Sequence, residues 1–149
     1  MDFIIQKGFL GTNSPFFIDF SLIIMSILPL IMVGSIFLAK KELIKLHIKI
    51  HISSFSLATI ILSLNIYGYI KLDVDSLQNP ILFYVYLIYL SISYIVWYRT
   101  IYFAMEDSRR RALPGLYSKF HKKSGMFLII LVSSNIFIGL IFYYFNFLS

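Results

Sequence analysis

Three histidines are the residues of this chain whose type and spacing bear on chemistry. His47 and His51 stand four apart, so on a helix they share one face. His121 sits in a second copy of the same local pattern: Lys45-Leu46-His47-Ile48-Lys49 returns as Lys119-Phe120-His121-Lys122-Lys123. Three imidazoles can ligate copper or zinc, and two on separate helices can ligate a haem iron. Two other readings stay open. The rings can handle protons, or they can face lipid headgroups as their lysine neighbours do.

The elements that must position these rings are membrane helices. Hydrophobic residues make up 59 % of the chain and charged residues 13 %, and the mean hydropathy is +0.84. Stretches without Lys, Arg, Asp or Glu cover 20–39, 50–70, 81–98 and 124–148, and runs of this length cross a bilayer rather than fill a soluble core. The expected fold is an all-α integral membrane protein, one four-helix bundle over 1–149 with spans near 18–39, 48–70, 81–105 and 122–147. The repeated Lys-x-His-x-Lys pattern makes two related helical hairpins, each with its second helix opened by a histidine. Cysteine is absent, which excludes disulfides, iron–sulfur clusters and thiolate zinc sites.

Charge sets the orientation. Eleven of the 13 Lys and Arg residues flank two connections: Lys40, Lys41, Lys45 and Lys49 at the first, with Arg99, Arg109, Arg110, Arg111, Lys119, Lys122 and Lys123 at the third. The second connection carries Asp73 and Asp75. The positive-inside rule therefore puts loops 40–49 and 106–123 in the cytoplasm and both termini outside. The basic residues follow this topogenic pattern and come with no nucleic-acid-binding motif. The opening segment lacks a cleavable signal's small-residue site, so the first span is expected to stay in the mature protein. Phe16-Phe17 suits the membrane interface, Asp19 or Ser21 suits a helix cap, and Pro29 is expected to kink the first span. In the third span Tyr94, Tyr98 and Tyr102 form a stripe for packing and anchoring, and Arg99 can snorkel to the interface.

On the second span His47, His51, Ser54, Ala58 and Asn65 share a face; on the fourth, His121, Gly125, Val132, Asn135, Gly139 and Tyr143 do. Small residues let helices approach, and an asparagine in hydrocarbon seeks a partner across the interface. The expectation is that spans two and four meet along these faces, gathering His47, His51 and His121 at one depth. No nucleophile–base order, phosphate loop or zinc-protease motif occurs, so a non-enzymatic role is expected.

With those residues in view, the chain is similar to the small CtaM/YozB-type family of four-helix bacterial membrane proteins. The resemblance covers nearly the whole chain. It rests on Gly8-Phe9-Leu10-Gly11-Thr12 with Pro15, Asp19 and Pro29, on Leu46-His47, on Trp97, on the block from Pro114-Gly115 through His121 to Gly125, and on Gly139 and Tyr143. It implies a plasma-membrane accessory or assembly protein of a respiratory complex, associated with a haem–copper terminal oxidase, whose partners are lipid and other membrane subunits. Haem or copper is the group that His47, His51 and His121 could handle; of these the resemblance covers His47 and His121, and His51 is this chain's own addition. A supernumerary subunit without any ligand is the other role it allows. The chain departs from the family pattern at Asn65, Tyr67 and Tyr69, at Tyr86 or Tyr89, and at Tyr117, where the family often carries acidic residues or histidine.

Overall fold

The computed structural model describes residues 5–71, 77–109 and 116–148. The acidic stretch with Asp73 and Asp75, the Arg110-Arg111 pair and Pro114-Gly115 lie outside them, as do the side chains of Tyr69 and Tyr117. Four helices account for most of the described chain: α1 (Phe16–Lys40), α2 (Ile44–Lys71), α3 (Pro80–Arg109) and α4 (Leu116–Tyr143), the last continued by a π-helical turn at Tyr144–Leu148. All four are long and apolar enough to cross a membrane. Each runs past its apolar stretch into the charged flanks, because lysine is a good helix former whose charge reaches water at a span's end. His47 is thus the fourth residue of α2, inside the helix rather than ahead of it. Pro29 lies inside α1 and the helix continues through it.

The first hairpin is tight. Only residues 41–43 separate α1 from α2, and Glu42 takes the left-handed conformation (φ 63°) that lets the chain reverse. Helices joined this closely pack as antiparallel neighbours. Accordingly α1 lies on α2 and α3 on α4, α1 also meets α4, and α2 touches α3 least. The bundle order is therefore 1-2-3-4 around a square, with α2 and α4 on a diagonal.

That order overturns the expected seam between the second and fourth helices. The polar faces are buried as the periodicity requires, with Ser54, Ala58, Asn65, Val132, Asn135, Gly139 and Tyr143 all inside. Each asparagine, however, finds its partner within its own hairpin. Asn65 Nδ2 donates to Ser21 Oγ on α1 at 2.8 Å, and Asn135 Nδ2 donates to Ser93 Oγ on α3 at 2.9 Å. The nearest hydroxyl lies on the adjacent helix, and the diagonal is too wide for an amide to bridge. Ser93→Ala removes the hydroxyl that accepts from Asn135 Nδ2. It is expected to lower stability by about 0.6 kcal/mol, and by no more than ~1.7 kcal/mol, as measured for hydrogen bonds between membrane helices; thermal unfolding in detergent checks this.

Between the asparagine level and the histidine level the centre of the bundle is apolar. Met25, Leu28, Met32, Ala58, Ile61, Leu90, Leu128 and Val132 fill it, with Tyr86 and Trp97 at either end of α3's contribution. A second cluster of Phe17, Ile18, Phe83, Phe142 and Tyr143 closes the end at which the termini lie. Phe17 is fully buried there, which corrects its expected interfacial place. The position is made by Gly68: a Cβ on that residue would stand 2.4 Å from the Phe17 ring. Tyr98 and Tyr102 face outward, as the stripe suggests, whereas Tyr94 turns in and stacks on Phe55 with ring centres 4.9 Å apart. Arg99 is exposed and lies 5.7 Å from the Phe103 ring.

Candidate functional site

Two polar clusters occupy opposite ends of the bundle. At the end where the termini lie, the fully buried Asp19 gathers donors from the opening segment and from α4. Its Oδ2 accepts the Leu10 N–H at 2.8 Å. Its Oδ1 accepts the Ser14 hydroxyl and the Tyr143 hydroxyl at 2.9 Å. Thr12 Oγ1 then bonds the Tyr143 oxygen at 2.6 Å. The cap of α1 is Pro15, which makes no side-chain hydrogen bond. Asp19 is thus no helix cap; it is a clamp that folds residues 6–16 back on themselves, with Gly8 N–H bonded to Ser14 O and Phe16 N–H to Gln6 O. Ser21, the other expected cap, receives Asn65 instead. Gly8 has to be glycine for the same reason, since a Cβ there would fall on the Asp19 carboxylate. This cluster has every acceptor oxygen occupied by the chain itself, so it reads as a fastening.

The other end carries the histidines. His47 projects from α2 and its Nδ1 lies 2.9 Å from the Ser35 carbonyl oxygen and 2.8 Å from Ser35 Oγ, both on α1. His121 projects from α4 and its Nδ1 lies 3.0 Å from the Thr100 carbonyl oxygen on α3. A backbone carbonyl can only accept, so in both rings Nδ1 carries the hydrogen and Nε2 keeps its lone pair. Histidines that hold metals are oriented in this way, through the other ring nitrogen. Below His121, Ser124 and Thr100 join their hydroxyls, and Thr100 passes its own hydrogen to the Val96 carbonyl.

The rings converge although their helices do not adjoin. Ring centres of His47 and His51 are 4.7 Å apart, and those of His47 and His121 are 6.4 Å apart and nearly perpendicular. Of the expected set, His47 and His121 therefore meet directly, while His51 packs between His47 and Trp97, whose ring centre is 6.5 Å away. Trp97 is buried, and its Nε1 is one of three buried side-chain polar atoms without a partner among the described residues, with the Oδ1 atoms of Asn65 and Asn135. The resemblance singles out Trp97, but nothing in the sequence places its ring beside His51. No three His, Asp or Glu side chains among the described residues converge as a ready metal-binding group.

These residues suit a bare ion better than a macrocycle. Ligand chambers run to roughly 300–1,000 Å³. Two cavities lie away from the histidines: a groove of about 270 Å³ along the outer side of α3 between Tyr84 and Ile95, and a space of about 10 Å³ beside Asn135 and Tyr86. His47, His51, Phe55 and Trp97 already pack ring on ring. The exposed lysines Lys40, Lys41, Lys45, Lys49, Lys119, Lys122 and Lys123 flank the same ends of the helices, with the carboxylates of Glu42 and Glu106.

No family model, curated protein or solved structure matches this chain.

Proposed function

We propose that this protein is a non-enzymatic accessory or assembly factor of a bacterial respiratory membrane complex, and that the complex is a haem–copper terminal oxidase. It lies in the plasma membrane with both termini outside and the lysine-rich end in the cytoplasm, as the charge of the connections indicates. The observation that carries the reading is the pair His47 and His121, each with Nδ1 on a backbone carbonyl and Nε2 left as a donor, at one end of an otherwise closed bundle. Such a pair, with no third His, Asp or Glu side chain completing it among the described residues and with its neighbouring hydroxyls on the Nδ1 side of His47, is suited to holding or passing a metal. The resemblance supports the choice of partner, and two of its segments meet at one place, the knot of Leu10, Thr12, Asp19 and Tyr143.

The alternative is a permanent subunit that contributes packing alone. It is favoured by the large outward-facing side chains, among them Phe37, Tyr98, Phe127 and Phe137, which suit a protein neighbour as well as lipid. Deleting the gene and recording the difference spectrum of the membranes tests both. Loss of the oxidase haem bands, restored by the wild-type gene and not by the His47→Ala/His121→Ala double variant, is the expected result. Unchanged bands together with no oxidase subunit co-purifying in mild detergent would overturn the association. Fixed-stoichiometry co-purification with normal bands would select the subunit role.

A further inference from the structure

We infer that His47 and His121 form a binding site for a single monovalent copper ion. The inference rests on reading the lysine-rich end as a ligand site, but it does not depend on the association with an oxidase. Three observations on this end lead to the ion.

The first is geometry. An ion held in line by two imidazoles, with metal–nitrogen bonds of about 2 Å, places the two ring centres about 6 Å apart. His47 and His121 stand at 6.4 Å. Their Nδ1 hydrogens are already committed to Ser35 and Thr100, so both rings present the same nitrogen and need no change of tautomer. His51, 4.7 Å from His47, is within a side-chain rotation of becoming a third ligand.

The second is coordination number. Zinc takes four ligands in structural sites and three protein ligands plus water in catalytic ones. No third His, Asp or Glu side chain completes the pair as it stands. Cu(I) is content with two or three ligands and accepts imidazole.

The third is charge. An imidazole ligand carries no charge, no third His, Asp or Glu side chain completes the pair among the described residues, and seven exposed lysines flank this end of the helices against the described carboxylates Glu42 and Glu106. A divalent ion meets twice the repulsion of a monovalent one from the same ammonium groups. With no anionic ligand to offset it, the ion of lower charge is favoured. A thiolate would reverse that preference, but the chain has no cysteine.

The test uses the full-length protein in detergent, kept anaerobic with ascorbate, and titrated with Cu(I) against the chromogenic chelator bicinchoninate. One ion per chain is expected, and His121→Ala or His47→Asn should each weaken binding by about a hundredfold. His51→Phe should weaken it by no more than about tenfold. X-ray absorption of the loaded protein should report two or three nitrogen neighbours and no sulfur. That readout does not depend on any variant folding well, and it separates the histidines from the five methionines. Sulfur in the shell, or binding untouched by both substitutions in variants that keep their melting temperature, would overturn the site. Zn²⁺ bound as tightly as Cu(I) in a parallel chelator competition would overturn the choice of ion and leave the imidazole site standing. If neither metal binds, the inference and the ligand-site reading fail together, whereas the oxidase association stands or falls on the membrane spectra.

Discussion

Asp19→Ala is expected to lower the stability of the bundle by about 1–3 kcal/mol, the cost of leaving a buried hydrogen-bond donor without its acceptor. The carboxylate is fully buried and takes hydrogens from Leu10 N–H, Ser14 Oγ and Tyr143 Oη. Each bond to a charged acceptor contributes about 1.5–3 kcal/mol. The sum is offset because Ser14, Thr12 and Tyr143 can re-pair their hydroxyls; Leu10 N–H cannot. Asp19→Asn, which keeps the shape and one acceptor, should fall between wild type and alanine. The loss should also appear as a local event. Lys7 lies within the clamped segment, pairing across to Pro15, so trypsin should cut after Lys7 in the alanine variant far faster than in wild type. Equal melting temperatures and equal cutting would refute the clamp.

Gly68→Ala should be nearly as damaging, for a steric reason. The added methyl would lie 2.4 Å from the Phe17 ring, and that ring, fully buried among Ile18, Phe83, Phe142 and Tyr143, has no room to retreat. Over-packing of this kind costs about 1–3 kcal/mol, occasionally more. The diagnostic is the double variant. Phe17→Leu alone opens a cavity and should itself destabilise, yet combined with Gly68→Ala it should recover part of the loss, an interaction of roughly 0.5–3 kcal/mol in the cycle. Simple additivity of the two losses would mean that glycine is needed at position 68 for some reason other than the ring.

The four spans and their buried faces were readable because both are periodic properties. Charge-free length marks a helix that crosses a membrane, and a 3.6-residue repeat marks its inner side. His47, His51, Asn65, His121 and Asn135 all lie on the sides that the repeat selects. What each face packs against is not a periodic property. Asn65 could have met Asn135 by pattern alone; the short turn at residues 41–43 made Ser21 the nearer hydroxyl. Phe16 and Phe17 are adjacent and alike, and only the notch at Gly68 decides which of them turns inward. The role of Asp19 was hidden for another reason. Its donors come from an irregular loop and from a tyrosine 124 residues away, and such a meeting leaves no local trace in the sequence. The unpartnered Trp97 nitrogen belongs to the same class.

The knot of Thr12, Ser14, Asp19 and Tyr143 also fixes an order of events in biosynthesis. Its first three members leave the ribosome early and the fourth about 120 residues later, on the order of ten seconds behind at ordinary translation speed. Throughout that interval the leading segment is held only by its own bonds to Asp19, and Tyr143 adds the last fastening. A nascent chain stalled before α4 is complete would thus hold the segment around Lys7 less firmly than a finished one.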